Sequence, residues 1–310
     1  MVRPSPLRAC RPSHQRSRFL LCDMLMNPYQ SFVTDFAALV ERARSFPLGA
    51  FESAPRPALP PAAPKALLFA PHPDDECIVG GLALRLLREA GMETLNVAVT
   101  LGSKPERKAG RLQELQAACR YLGFGLVTTG PAALDRINAK TREQEPAHWA
   151  ACVQTVAAII ETQRPRVVLC PHARDWNSTH IGTHFLVMDA LRLLGAGFDC
   201  HLVETEFWGQ MDDPNLMVEI GAADLADLIT ATTFHVAEVA RNPYHLLLPA
   251  WMMDNVRRGS ELVGGQGGAA PDFSFAMLCR LGRWSQGRLT KPFEGGRQLS
   301  RSVDLRRLFP

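Results

Sequence analysis

Long apolar runs and paired cysteines are both missing from this chain of 310 residues. No stretch reaches the roughly 18 apolar residues of a membrane-spanning helix, so we expect no membrane span. The eight cysteines include no Cys-x-x-Cys pair, which argues against a zinc site built from thiolates. Several lie beside aliphatic residues, as small buried side chains do in a reducing compartment. We therefore predict a cytoplasmic location.

A strong excess of positive charge is missing too. Residues 1–25 carry five arginines and one aspartate, and their net charge of +4 exceeds the formal net charge of +3 of the whole chain. The remaining residues are therefore slightly acidic. We therefore expect no nucleic-acid partner. The segment 1–25 is interpreted as a disordered basic tail that resembles a targeting segment, or as an extension upstream of the native start. Both alternatives stay open.

Composition divides the rest of the chain into three parts. Residues 26–64 are expected to hold an amphipathic helix at 29–45 and a stiff proline-rich connector. Residues 65–288 are expected to form the main domain. Residues 289–310 are polar and basic, and we expect them to be a frayed tail.

Strand-like and helix-like patterns alternate in the first part of the main domain. Such alternation predicts parallel strands with right-handed crossovers, that is, an α/β Rossmann-like three-layer sandwich with a mostly parallel central sheet. No Gly-x-Gly-x-x-Gly follows the first strand, so a dinucleotide cofactor is not expected. The predicted strands are 65–71, 95–101, 125–129, 166–171 and 200–207, and the predicted helices between them are 76–90, 105–122, 146–163 and 181–194.

Four polar side chains follow the first predicted strand. His72, Asp74, Asp75 and Glu76 lie within five positions, at the carboxyl end of the strand, where open α/β sheets bind ligands. Three carboxylates this close repel one another, and a divalent metal would offset that repulsion. The alternative is that Asp74 only caps the next helix, with the other two acids favouring its N-terminal dipole.

A second polar loop follows the predicted strand 166–171. It contains His172, Asp175, His180 and His184. Zinc accepts histidine nitrogen and carboxylate oxygen, and a catalytic zinc keeps three protein ligands and one open position. Because parallel strands end at the same edge of a sheet, the two loops together can build such a site.

Three blocks resemble the PIG-L/LmbE family of zinc-dependent N-deacetylases. The first is Pro-His-Pro-Asp-Asp-Glu at 71–76, followed by two glycines. The second is Arg-x-x-Glu-x-x-x-Ala-x-x-x-Leu-Gly at 111–123, and the third lies at 175–180. The resemblance, which spans residues 65 to about 194, implies a hydrolase that removes an acetyl or other acyl group from an N-acylated amino sugar or related amide. It also implies zinc, or another divalent transition metal, as cofactor.

The resemblance assigns the central roles. His72, Asp75 and His180 are the implied metal ligands. Asp74 is the implied general base, which accepts a proton from a zinc-bound water. A small-molecule amide is then the partner, and a homo-oligomer is left open.

The third block departs from the family pattern. Asn177 stands where the family usually has an oxyanion-stabilising histidine, and Thr179 where it has the aspartate that orients it. The Asn177 amide can donate a hydrogen bond to an oxyanion but cannot deliver a proton. Candidates for the acid are protonated Asp74, His172 and His184. The departure also leaves open a non-catalytic sugar- or metal-binding protein, although an intact Asp74 favours the enzyme.

The remaining candidates have both a functional and a structural interpretation. Arg111 is implied to support the substrate or active site, or it pairs with Glu114 along the helix. His184 and His172 are candidate substrate-binding residues, or structural ones. The acids that support the ligands from behind are predicted to be Asp175 and Glu76. For Trp176, stacking on a sugar and simple packing are equally open.

Overall fold

The computed structural model of the protein describes residues 27–53 and 56–310, so the segment 1–25 lies outside the described residues. The chain forms two units, which divide after Pro47. In the first, helix α1 (Pro28–Ala43) starts where the Asn27 side chain accepts a hydrogen bond from the backbone of Tyr29. None of the residues of α1 is buried. This helix confirms the one expected at 29–45.

One sheet runs through the second unit, Leu48–Pro310. Its strands within the described residues are β1 (Lys65–Ala70), β2 (Glu93–Ala98), β3 (Gly125–Thr128), β4 (Val167–Pro171), β5 (Cys200–Thr205), β6 (Leu216–Glu219), β7 (Ala276–Ser285), β8 (Arg288–Thr290) and β9 (Arg297–Leu299). Their order is β3-β2-β1-β4-β5-β7-β6-β9, with β8 paired to β7. Strands β1 to β5 are mutually parallel, whereas β7 is antiparallel to its neighbours. The order reverses between β1 and β4, which is the point where such sheets open a crevice for ligands.

Helices cover both faces of this sheet. They are α2 (Asp75–Ile78), α3 (Gly81–Arg88), α4 (Lys108–Leu122), α5 (Ala139–Gln144), α6 (Pro146–Gln163), α7 (Ser178–Leu194), α8 (Ala222–Thr232), α9 (Val236–Arg241) and α10 (Leu248–Leu262). In β1, Leu67 and Phe69 face the apolar layer that contains α6 and α7. Ala66 and Leu68 face the opposite layer, which contains α2, α3, α4 and α8. Burial on both faces explains the continuous apolar run of β1 and confirms the predicted three-layer fold.

The expectation for residues 289–310 is wrong. Strand β9 pairs with β6, and Leu299, Leu305 and Phe309 are buried. Phe309 lies edge-on against His201, with ring centroids 5.3 Å apart. A few apolar residues carry this packing inside a segment whose average composition is polar. The second unit therefore continues through the boundaries expected at 64/65 and 288/289.

The helix predicted at 76–90 is interrupted and forms α2 and α3. A Cβ at Gly80 would lie 2.1 Å from the backbone oxygen of Glu76, so the junction between α2 and α3 requires glycine. In the part of the chain that the structure describes, no helix combines the length and apolarity needed to cross a membrane.

Candidate active site

The three predicted metal ligands converge at the crevice between β1 and β4. His72 follows β1, Asp75 opens α2, and His180 lies in the first turn of α7. Their ligand atoms all lie within 4.8 Å of one another. Asp75 Oδ2 is 3.3 Å from His180 Nε2 and 3.5 Å from His72 Nδ1. Tetrahedral zinc, with bonds of about 2.0–2.2 Å, separates its ligand atoms by about 3.4 Å, so the spacing suits such an ion.

One atom of this cluster makes no hydrogen bond to any described residue. His180 Nε2 is buried and has no hydrogen-bond partner in the described part of the chain, whereas buried polar atoms nearly always have one. The other ring nitrogen, Nδ1, lies 3.5 Å from Asp175 Oδ2. A histidine with a carboxylate beside one nitrogen and no hydrogen bond at the other is typical of a metal ligand. The residues therefore fit a divalent cation such as zinc.

The charges of the cluster lead to the same conclusion. Burial alone would lower the pKa of His180, but Asp75 and Asp175 outweigh it and raise that pKa to about 10. Burial would raise the pKa of Asp75, but His180 and His72 lower it well below its usual range. The carboxylates thus hold a positive charge at this point, and a metal cation can take the place of the His180 proton.

Asp74 has an unusual backbone conformation. Its φ angle is 116°, a region that residues other than glycine rarely adopt and that is found at functional sites. It lies at the N-cap position of α2, yet its side chain makes no capping hydrogen bond. Instead, Asp74 Oδ2 accepts a hydrogen bond from the Tyr244 hydroxyl at 2.6 Å. Burial and the nearby Asp75 raise the pKa of Asp74 to about 7. The capping alternative therefore does not account for this side chain.

Glu76 supports the turn from behind. It is fully buried, and its Oε2 accepts the backbone N–H of Asp74 at 2.8 Å. Its Oε1 accepts a hydrogen bond from His235 Nε2 at 2.7 Å, and the Cys77 thiol lies 3.2 Å from the same oxygen. Burial raises the pKa of Cys77 well above its usual range, so it stays a thiol. Glu76, Cys77 and His235 lie close enough together to hold a metal ion. Hydrogen bonds already join His235 and Cys77 to Glu76, so we interpret this group as a support for the turn.

Arg111 makes no ion pair with Glu114 among the described residues. Its Nη2 donates a hydrogen bond to the Pro73 carbonyl at 2.8 Å and lies 3.8 Å from Asp74 Oδ2. Its Nε lies 3.9 Å from Glu238. Arg111 thus connects α4 to the turn that carries Asp74, which agrees with the supporting interpretation.

A cavity of about 650 Å³ opens beside these residues. His72, Asp74 and Asp75 line it. Of the remaining predicted residues, Arg111, Asn177 and Thr179 also line it. Lining residues that had no predicted role include Lys108, Asn138, Trp208, Glu238 and Tyr244.

His172 and His184 do not line this cavity. His172 is buried, donates from Nε2 to the Gly209 carbonyl at 2.9 Å, and accepts at Nδ1 from the backbone of Arg174. His184 Nδ1 lies 3.2 Å from the Pro171 carbonyl and 3.3 Å from Glu204. Both rings are thus held by other contacts. Trp176 is 80% exposed and also lies outside the lining.

Asn177 caps helix α7 with only one end of its amide. The side-chain Oδ1 accepts the backbone N–H of Thr179 at 2.9 Å, and the backbone N–H of Asn177 donates to Asp175 Oδ1 at 2.8 Å. Its Nδ2 has no hydrogen-bond partner within residues 27–53 and 56–310. The amide therefore keeps two donors beside the cavity.

Tyr244 and His235 contact the site, and the sequence did not indicate either residue. Tyr244 lies 170 positions from Asp74, and His235 lies 159 positions from Glu76. They belong to a region whose helices show ordinary amphipathic patterns, and no local motif marks either residue. Only the packing of the segment 235–244 onto the turn that carries Asp74 reveals them.

Comparison with known proteins finds one family match. Residues 67–191 match the family described as GlcNAc-PI de-N-acetylase, PIG-L. No curated protein matches the chain.

Solved structures of similar fold exist at low sequence identity. The conserved protein TT1542 from Thermus thermophilus has a TM-score of 0.52 and 19% identity, covering 69% of this chain and 93% of its own. GalB, a 4-carboxy-2-hydroxymuconate hydratase from Pseudomonas putida, has a TM-score of 0.51 and 15% identity, covering 70% and 95%. The N,N′-diacetylchitobiose deacetylase from Pyrococcus horikoshii has a TM-score of 0.50 and 16% identity, covering 75% and 88%. Since one fold serves a hydratase and a deacetylase, the fold alone does not choose the reaction.

Proposed function

Because this chain belongs to the PIG-L (LmbE-like) family through residues 67–191, we propose that it is a metal-dependent N-deacylase. Its substrate is an N-acylated amino sugar or a related amide that loses an acetyl or other acyl group. The observation that carries the proposal is the convergence of His72, Asp75 and His180 beside Asp74. Of these four residues, His72, Asp74 and Asp75 line the cavity. At about 650 Å³, the cavity has the size of ordinary small-molecule sites.

The metal ligands in this proposal are His72, Asp75 and His180, with Asp175 holding the His180 ring. Zinc, when bound, polarises an amide carbonyl and lowers the pKa of a water molecule from 15.7 to about 7. Cys77 has no role in this proposal, because burial raises the pKa of its thiol well above its usual range.

Asp74 is the proton carrier in this proposal. Tyr244 occupies its Oδ2, and Oδ1 has no hydrogen-bond partner among the described residues, so Oδ1 is the atom that can take a proton from the attacking water. The water oxygen bonds to the acyl carbon, and the same proton then passes to the leaving nitrogen as the amide C–N bond breaks. The products are an amine and a carboxylic acid, which ionise to ammonium and carboxylate. Since His172 and His184 are held away from the cavity, Asp74 performs both transfers. The free amide hydrogens of Asn177 are suited to stabilise the oxyanion.

The test combines metal analysis with a substrate panel. The purified protein is loaded with Zn²⁺, and amine release is measured from N-acetylglucosaminyl conjugates, including N,N′-diacetylchitobiose. We expect about one zinc per chain and release that a chelator abolishes and added Zn²⁺ restores. Asp74→Asn, prepared in parallel, is the control for contaminating hydrolases.

Two results would contradict the proposal. One is release that persists unchanged in Asp74→Asn. The other is zinc binding without cleavage of any amide in the panel, which would favour the non-catalytic binding protein instead.

A further inference from the structure

The turn that carries Asp74 is held by a segment outside the residues that match the family. This segment, His235–Tyr244, contains α9 and makes three contacts with the turn or with its support. His235 makes a hydrogen bond to Glu76, and Tyr244 makes one to Asp74. Between them in sequence, Glu238 lies 3.9 Å from the Arg111 guanidinium. Of these three contacts, only the one from Tyr244 reaches the Asp74 side chain.

The Tyr244 side chain is well placed to fix the direction of the Asp74 carboxylate. It is 8% exposed, and its hydroxyl lies 2.6 Å from Asp74 Oδ2, a short bond typical of a hydroxyl that donates to a carboxylate. Its ring packs edge-on against Trp208, with centroids 6.1 Å apart. Both rings line the cavity. Because the ring is held by this packing and its hydroxyl makes a short hydrogen bond, the Asp74 carboxylate has little freedom to rotate.

Asp74 needs such a restraint from its side chain. Its backbone is strained, and the side chain makes no bond to its own helix. Arg111 Nη2, at 3.8 Å from the same Oδ2, is too far for a hydrogen bond and donates to Pro73 instead. Among the described residues, the Tyr244 hydroxyl is therefore the one group that hydrogen-bonds this carboxylate.

We propose that Tyr244 is a positioning residue of this site, which binds Oδ2 of Asp74 and thereby keeps Oδ1 directed to the reacting water. The inference rests on the proposed function in that Asp74 is the base. The group that positions Asp74 is the Tyr244 hydroxyl and not the ring. If Tyr244 only fills space, its ring does so equally well without the hydroxyl.

The variant that separates these interpretations is Tyr244→Phe, which removes one oxygen and keeps the ring. Its matched control is Tyr121→Phe. Tyr121 donates to Asp227 at 3.1 Å, a tyrosine–aspartate bond of the same kind, and neither residue lines the cavity. We expect Tyr244→Phe to lower kcat about 10- to 100-fold, the size of one hydrogen bond to a charged group, with KM and zinc content unchanged. Tyr121→Phe should leave kcat unchanged.

A double-mutant cycle tests whether Tyr244 acts through Asp74. In an Asp74→Asn background, Tyr244→Phe should cause no further loss of the residual rate. Equal losses in both backgrounds would overturn the inference, and so would an unchanged kcat in Tyr244→Phe alone.

Crystal structures of the wild type and Tyr244→Phe with Zn²⁺ give a second readout that needs no substrate. We expect the Asp74 carboxylate to rotate or to become disordered in the variant, with the metal ligands unmoved. An unchanged carboxylate would overturn the inference. If the wild type cleaves no amide, the proposed function fails, and this comparison still decides whether Tyr244 positions Asp74.

Discussion

Asp175 Oδ2 lies 3.5 Å from His180 Nδ1, while Asp75 Oδ2 lies 3.3 Å from Nε2 of the same ring. The imidazole is therefore held between two carboxylates, one beside each nitrogen. In the proposed function, Asp75 is a metal ligand, whereas Asp175 orients the ring and also accepts the backbone N–H of Asn177. This division gives the two acids different expected effects.

Asp175→Asn should weaken zinc binding about 10- to 100-fold, as loss of a carboxylate behind a metal-binding histidine does. Asparagine keeps an oxygen for the backbone N–H of Asn177, so the loop should stay in place. Titration calorimetry with Zn²⁺ measures the change. Asp189 forms an ion pair with Arg142 and lies on α7, the helix that carries His180. Asp189→Asn is therefore the matched control and should bind zinc normally. Equal affinity in Asp175→Asn and the wild type would show that the ring needs no such support.

Removing the base and removing a ligand should differ in their effect on the metal. Asp74→Asn should keep zinc and lose most turnover, because the proton acceptor is lost while the ligands remain. His72→Ala should lose both. Metal content by mass spectrometry, measured beside amine release, tests this. Loss of zinc in Asp74→Asn would make Asp74 a ligand.

Asn177 has a capping oxygen and a free amide nitrogen, and two substitutions separate them. Asn177→Ala loses both, so turnover should fall about 10²-fold or more, and the free energy of unfolding should fall by about 1 kcal/mol. Asn177→Asp keeps the capping oxygen at a helix N-terminus, so stability should stay close to that of the wild type. It lacks the donor, so turnover should still fall. A stable Asn177→Asp variant with full turnover would remove Asn177 from the mechanism.

Acid should destabilise the protein partly through His201. Burial, with help from the charges of Arg283 and Arg166, lowers the pKa of His201 from the ordinary 6.5 to about 4. The unfolded chain therefore binds this proton more readily than the folded protein. The stability of the neutral ring is fully present above pH 6.5 and is lost as the pH falls towards 4.

Urea unfolding at a series of pH values measures this effect. His201→Gln should have a smaller loss of stability between pH 6.5 and 4 than the wild type. His148→Gln, at a histidine that is not buried, is the control and should keep the dependence of the wild type. Parallel curves for His201→Gln and the wild type would contradict the prediction.

The C-terminal segment should contribute to global stability. Phe309 is fully buried, so Phe309→Ala should lower the free energy of unfolding by about 3–5 kcal/mol. Val303 lies nearby in sequence and is 39% exposed, so Val303→Ala should change it by no more than about 0.5 kcal/mol. Similar small effects of both substitutions, measured by urea unfolding, would mean that the segment is frayed after all.

The sequence by itself determined the parallel core and the edge at which the site lies. Both depend on short-range patterns. Apolar runs on β1 and β4 predict buried strands, and the polar loops after them must emerge at one edge because the strands are parallel. The structure adds that β1 and β4 are neighbours, so His72 and His180 meet.

Only the tertiary structure decided which other groups reach the site. The Tyr244–Asp74 and His235–Glu76 bonds join residues more than 150 positions apart, and no local periodicity encodes a contact at that separation. The same holds for His172 and His184, whose residue types suit the site but whose rings are held elsewhere by Gly209, Pro171 and Glu204. Residue type and spacing predict what a side chain is able to do. Which atoms it faces depends on how distant segments pack, because burial and hydrogen bonding are satisfied over the whole unit and not along the chain.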